Sequence, residues 1–254
     1  MPRPYDTLFI GQRIVSLDRV SSTNDYALQW LRSEKPPEGT VITAQFQTAG
    51  RGQRGSEWHG DVGKNLAMSI ILYPTFVSLQ RQFALSQAVA LGCHHCLNEI
   101  LGSKVRIKWT NDLYYGNKKL GGILIENTVN AYGWVSAIVG IGINVNQTNF
   151  PPDLPNPTSI AALTGSRWDT DELMKKLCHY LERQYLQLRA DKLAYLHENY
   201  RQLLYRYQEM AHYEMPDGIV LTAKITDVTE QGKLVLCTAE GQYREFDLKE
   251  IRFC

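Results

Sequence analysis

The 254-residue chain carries 27 Lys+Arg against 26 Asp+Glu, a formal net charge of +1, with 44% hydrophobic and 21% charged residues. A chain of this size and balance can bury a core without disulfides or a structural metal. The near-zero charge argues against a protein that holds nucleic acid on a broad basic surface. No apolar run approaches the roughly 20 residues that cross a bilayer. The start, MPRPYDTLFI, lacks the parts of a signal peptide. A cytoplasmic enzyme or binding protein, with no membrane and no DNA as partner, is the expectation.

In chain order, Ser21-Ser22-Thr23-Asn24 supplies capping residues ahead of a helix, DYALQWLRS. TVITAQFQ, NLAMSIILYP, KVRIKW, KLGGILIEN and WVSAIVGIGINV are rich in Val, Ile and aromatics and read as strands. A long helix is expected over 79–102, and one or two amphipathic helices over 169–206. Short Gly/Asn turns such as Tyr115-Gly116-Asn117-Lys118 suggest hairpins. The fold class is α/β (α+β): a mixed, mainly antiparallel sheet with helices on one side. From about Met215-Pro216-Asp217-Gly218 onward the chain alternates short strands and turns, read as a small β-barrel that must dock on the body. The expected domains are therefore 1–213 and 214–254.

Five dispersed cysteines, with no secretion signal, are read as free thiols. Cys93-His94-His95-Cys96 invites a zinc reading. It lies, however, within a stretch where Leu85, Val89, Cys93, Leu97 and Leu101 repeat at helical spacing, and no second ligand pair follows. Core packing is the better reading.

The most informative stretch is Gly50-Arg51-Gly52-Gln53-Arg54-Gly55-Ser56-Glu57-Trp58. Its Gly-x-Gly-x-x-Gly spacing is not a dinucleotide fingerprint, because no helix follows and no acidic residue lies at ribose distance. It is not a P-loop either, since Gly55 is followed by Ser56. Glycines let backbone approach a ligand, and arginines supply planar donors for a phosphate or carboxylate. Further on, Lys119 stands beside Gly121 and Gly122 in one strand pattern. Gly140 and Gly142 alternate in another, leaving one face without side chains, room enough for a flat ring or for close sheet packing.

Taken together, Ser22-Thr23-Asn24, Gln47-x-x-Gly50-Arg51-Gly52, Lys108-Trp109-x-Asn111-Asp112, Lys119-Leu120-x-Gly122-Ile123-Leu124 and Gly140-x-Gly142-Ile143-Asn144 resemble, in order and spacing, the biotin–protein ligases. The resemblance implies ATP and Mg2+ as cofactors and biotin as substrate. It also implies a biotin carboxyl carrier protein, that of acetyl-CoA carboxylase, as acceptor. Ser22, Thr23, Asn24 and Gln47 would surround the biotin head group, with Gly122, Gly140 and Gly142 making room for its rings. Arg51, Gly52 and Gln53 would close over the biotin tail. Lys119 would contact the carboxylate and the forming acyl phosphate, joined by Arg51 and Lys108. Trp58 would stack on adenine. Asn111, Asp112 and Asn144 would lie with nucleotide, Asp112 with magnesium as well.

Where the family's loop has a second arginine this chain has Gln53, and either Gln53 or Arg54 takes that place. With only about 20 residues before Ser22 there is no room for a helix-turn-helix module, so no repressor role is expected. The resembled family includes monomers and dimers, which leaves a homodimer open. Two alternatives are a lipoate or octanoate ligase, whose Arg-Arg-x-Ser-Gly-Gly-Gly loop is lacking here, and a biotin sensor that does not turn over.

Overall fold

The computed structural model describes residues 5–254, with the Arg54 side chain outside the described set. The chain runs β1 (Ile14–Val20), α1 (Thr23–Ser33), β2 (Val41–Gln47), β3 (Leu66–Leu72), α2 (Phe83–Leu101), β4 (Val105–Lys108), β5 (Asp112–Tyr115), β6 (Lys118–Asn130) and β7 (Gly133–Ile143). There follow α3 (Ile160–Thr164), α4 (Thr170–Arg189), α5 (Leu193–Gln202), then β8 (Met210–Glu214), β9 (Val220–Val228), β10 (Leu234–Thr238), β11 (Tyr243–Phe246) and β12 (Arg252–Phe253).

Seven strands form one sheet in the order β1-β2-β3-β7-β6-β5-β4. Only β1 and β2 pair in parallel, and a parallel neighbour needs a crossover, which α1 supplies. Ser22 caps that helix: its Oγ accepts from the Asp25 backbone N–H at 3.4 Å. Strand side chains alternate between faces, so the sheet has two different coats. On one face Ala27 of α1 packs with Ile42, Ile71 and Ile138. On the other, Val41, Ile70, Leu72 and Val139 join the main core with α2, α4 and α5. Helices therefore cover both faces, with α1 alone on one of them. Because α1 is short and only partly buried, its apolar pattern gave no sign of which face it would take.

In α2 thirteen of the nineteen residues are buried, Cys93, His94 and Cys96 among them. Burial pushes the His94 imidazole down to about 4 and the Cys96 thiol up to about 12. Among the described residues no group of three His, Cys, Asp or Glu side chains is placed to hold a metal. The burial of Cys93, His94 and Cys96 is the core packing that the helical spacing implies.

The C-terminal strands pair antiparallel in the order β11-β10-β9-β8-β12. Among the described residues no ladder joins β11 to β12, so this is an open sheet where a barrel was expected. Strand alternation reveals a buried face but not whether the two edges meet. The expected boundary at 213/214 falls inside β8. Tyr213, Ile225, Leu234, Leu236 and Phe246 share one continuous core with the body. Trp109 Nε1–H donates to the Gly232 carbonyl at 2.9 Å, and His197 Nε2 lies 2.9 Å from Asp227 Oδ1.

Candidate functional site

Three rows cross the α1-side face of the sheet in register. Asp112, Gly122, Gly142 and Ala67 form the first, Leu124, Gly140 and Ser69 the second, and Glu126, Ile138 and Ile71 the third. The first two are mostly small residues, which lowers the sheet surface into a floor. The N-terminus of α1 and the glycine loop rise around it. The result is a cavity of about 300 Å3, lined among others by Ser22, Thr23, Gln47, Arg51, Trp58, Asn111, Asp112, Lys119, Gly122 and Leu124. That suits a small organic ligand held by a few aimed polar groups.

The inner end is neutral and hydrogen-bonded. Gln47 Oε1 accepts from the Thr23 backbone N–H at 2.7 Å and lies 3.1 Å from Thr23 Oγ1. Ser69, absent from the sequence reading, places its Oγ 2.7 Å from Thr23 Oγ1 and 2.6 Å from Asn24 Oδ1. Asn24 Nδ2 in turn donates to Glu126 Oε2 at 2.7 Å.

The mouth is charged. Lys119 Nζ sits 2.7 Å from Asp112 Oδ1. Arg51 Nη2 bridges two carboxylates, Asp25 Oδ1 at 2.6 Å and Glu126 Oε2 at 2.8 Å. All three pairs are partly exposed, so each is worth about 0–1 kcal/mol, little enough for an incoming phosphate or carboxylate to displace it. The glycine loop is folded as a tight hairpin. The Trp58 backbone N–H donates to Gly50 O at 2.9 Å, and that of Gly52 donates to Ser56 O at 2.7 Å. Thr110 Oγ1–H reaches Gln53 Oε1 at 3.2 Å, which ties the loop to the β4–β5 turn.

Most expected site residues line the cavity, Gly140 and Gly142 among them, while Lys108 and Asn144 do not. A Cβ on Gly140 would lie 2.4 Å from Asn24 Oδ1, and one on Gly142 would lie 2.6 Å from Trp58 Cε2. Both glycines line the cavity together with Gly122, and the space their missing side chains leave is filled by Asn24 and by the Trp58 indole. Lys108 does not line the cavity. Its Nζ lies 3.1 Å from Tyr114 Oη and over the rings of Tyr114 and Phe253, and burial lowers its pKa from the ordinary lysine value. Asn144 is buried, with Nδ2 donating to Thr158 O at 2.9 Å, and it too lies off the cavity wall. Arg54 falls outside the described side chains. Leu248 and Lys249, from the β11–β12 loop, line the cavity instead. Nothing local in their sequence marks them, because only docking of the second sheet brings them there.

The biotin/lipoate A/B protein ligase family model matches residues 16–146, just over half of the chain. The chain belongs to this family. The biotin--[acetyl-CoA-carboxylase] ligase of Paracoccus denitrificans is 32% identical over 178 residues, covering 68% of this chain and 72% of that protein. The bifunctional ligase/repressor BirA of Bacillus subtilis is 35% identical over 182 residues, 70% of this chain. This chain spans 55% of that relative's length. Among solved structures, the biotin protein ligase from Aquifex aeolicus in complex with biotin and ATP superposes with a TM-score of 0.78 at 25% identity, covering 95% of this chain and 98% of that one. The family match spans both the neutral inner end and the charged mouth of the cavity.

Proposed function

We propose that this chain is an ATP-dependent biotin–protein ligase, working in the cytoplasm and transferring biotin to a lysine of the carrier domain of acetyl-CoA carboxylase. The observation that carries the reading is the polarity of the cavity. A neutral, hydrogen-bonding end built on Ser22, Thr23 and Gln47 faces a mouth holding Lys119 and Arg51. Biotin has the matching polarity, an uncharged ureido head and an anionic valerate tail. The named activities of the relatives and of the Aquifex aeolicus structure agree with it. Cys93, Cys96 and Cys178 are buried and free, which suits a reducing compartment.

In the first half-reaction a biotin carboxylate oxygen attacks the α-phosphorus of ATP, forming the acyl phosphate and releasing pyrophosphate. Lys119 leaves Asp112 to meet the negative charge that grows on the α-phosphoryl oxygens, and Arg51 leaves its two carboxylates to do the same. Asp112 with Asn111 is a donor set that fits Mg2+, an ion which takes one or two carboxylates and fills its remaining positions with phosphate and water. Bound there, it would neutralise phosphate charge. In the second half-reaction the acceptor amine attacks the acyl carbon, and the C–O bond to AMP breaks. Asp112, released by Lys119, is then free to orient that amine and take up its proton. The folded glycine loop keeps water from the mixed anhydride between the two steps.

Biotin-dependent ATP–pyrophosphate exchange tests this, with lipoate as the competing acid. Exchange with biotin and none with lipoate is expected, and the reverse result rejects the assignment. Lys119→Ala should lower the exchange rate by about 10^2–10^3, the usual effect of losing one preorganised donor. Near-normal exchange in that variant would rule out a central role for the lysine.

A further inference from the structure

Glu126 stands at the end of the third row on β6, one step beyond the cavity floor, and no motif marks it. A single oxygen, Oε2, accepts from Asn24 Nδ2 at 2.7 Å and from Arg51 Nη2 at 2.8 Å. These partners belong to different parts of the site. Asn24 is buried at the inner end and is held there by Ser69 and by the missing Cβ of Gly140. Arg51 belongs to the glycine loop at the mouth. Its other partner, Asp25, is the chain neighbour of Asn24 at the start of α1. The loop's resting place is therefore anchored on the same few residues that shape the inner end.

We propose that Glu126 is a positioning residue that couples the inner end of the cavity to the glycine loop, fixing Asn24 while holding Arg51 in reserve. This rests on the ligase reading given above. A filled cavity offers Arg51 an anionic group in place of the two carboxylates. Glu126 then keeps Asn24 as its remaining partner, so the inner end stays ordered while the loop moves. An uncharged acceptor at this position would keep Asn24 in place but release the guanidinium. A side chain with no acceptor would disturb both.

Two substitutions separate these roles. In Glu126→Gln without ligands, amide hydrogen exchange across residues 49–58 should quicken at least about threefold, the scale of a lost half-exposed ion pair. Exchange in β3 should stay unchanged, and the Michaelis constant for biotin should stay within about twofold. In Glu126→Ala the same loop exchange should quicken, and the Michaelis constant for biotin should rise at least about fivefold, because the buried Asn24 amide loses its charged partner. Asp25→Asn should resemble Glu126→Gln. If Glu126→Gln leaves loop exchange at the wild-type rate, the hold on Arg51 is refuted. If Glu126→Ala loosens the loop without changing the Michaelis constant, the coupling to the inner end is refuted. Failure of the ligase reading itself would appear separately, as no biotin-dependent pyrophosphate exchange in the wild-type protein. The hydrogen-exchange measurement on ligand-free protein would still decide the hold on Arg51.

Discussion

A methyl group on Gly140 would meet Asn24 Oδ1 at 2.4 Å, and Asn24 has little freedom to retreat because Ser69 and Glu126 hold both ends of its amide. Gly140→Ala is accordingly expected to displace Asn24 and raise the Michaelis constant for biotin at least tenfold. That is roughly what one misplaced carbon costs in a fitted pocket. Steady-state kinetics with biotin as the varied substrate, alongside a thermal melt to confirm folding, measure it. A Michaelis constant within twofold of wild type would show that the inner end tolerates a moved Asn24. The alternating glycines are plain in the sequence, because a side-chain-free strand face has few other uses. What fills the space is not, since Asn24 and Trp58 arrive from α1 and from the loop. The polar residues divide the same way. Asn144 belongs to a motif yet is spent on the Thr158 carbonyl, while Glu126 belongs to none and joins two parts of the site.

At the level of elements, α1 and α2 show what periodicity can and cannot give. The capping run before α1 and the long apolar repeat of α2 locate both helices to within a few residues. Their faces depend on strand order, and β7 lies between β3 and β6 through pairings that leave no local trace. The interior of α2 carries a measurable consequence. His94 is 4% exposed, its Nε2 lies 3.2 Å from the Val105 carbonyl, and its Nδ1 has no hydrogen-bond partner among the described residues. Burial lowers its pKa from 6.5 to about 4, so between those values the unfolded chain binds a proton that the folded protein refuses. Stability should therefore be full above pH 6.5 and fall as the pH drops toward 4, by up to about 3 kcal/mol from this one group. In His94→Gln, which can still donate to Val105, that part of the pH dependence should vanish. Urea unfolding at pH 7 and at pH 4.5 gives the comparison. An equal loss in both proteins would place the acid sensitivity elsewhere, in the carboxylates.

For the molecule as a whole, the question is how a five-stranded sheet comes to complete a cavity built by another. Turn spacing marks the C-terminal strands, although the boundary expected at 213/214 falls inside β8. It could not show that the β11–β12 loop returns to the site, because that depends on the angle at which the two sheets dock. Gly232 sits at this joint. Its φ is +92°, its carbonyl accepts from Trp109 Nε1–H, and a Cβ there would lie 2.6 Å from the Phe83 ring at the start of α2. Gly218, in the turn between β8 and β9, offers a control, with φ +83° and open space around it. Gly218→Ala should cost only the left-handed backbone penalty, about 1 kcal/mol, and leave catalysis unchanged. Gly232→Ala should cost that penalty plus about 1–3 kcal/mol of overpacking against Phe83. The second effect lies in the site. Pushing the sheet off Phe83 draws Leu248 and Lys249 away from the cavity wall and disturbs Trp109, which leads directly to Asn111 and Asp112. Pyrophosphate exchange should therefore fall in Gly232→Ala under conditions where both variants are fully folded. If the two variants lose the same stability and keep the same exchange rate, the docked sheet serves as a lid support only, and its loop adds nothing to catalysis.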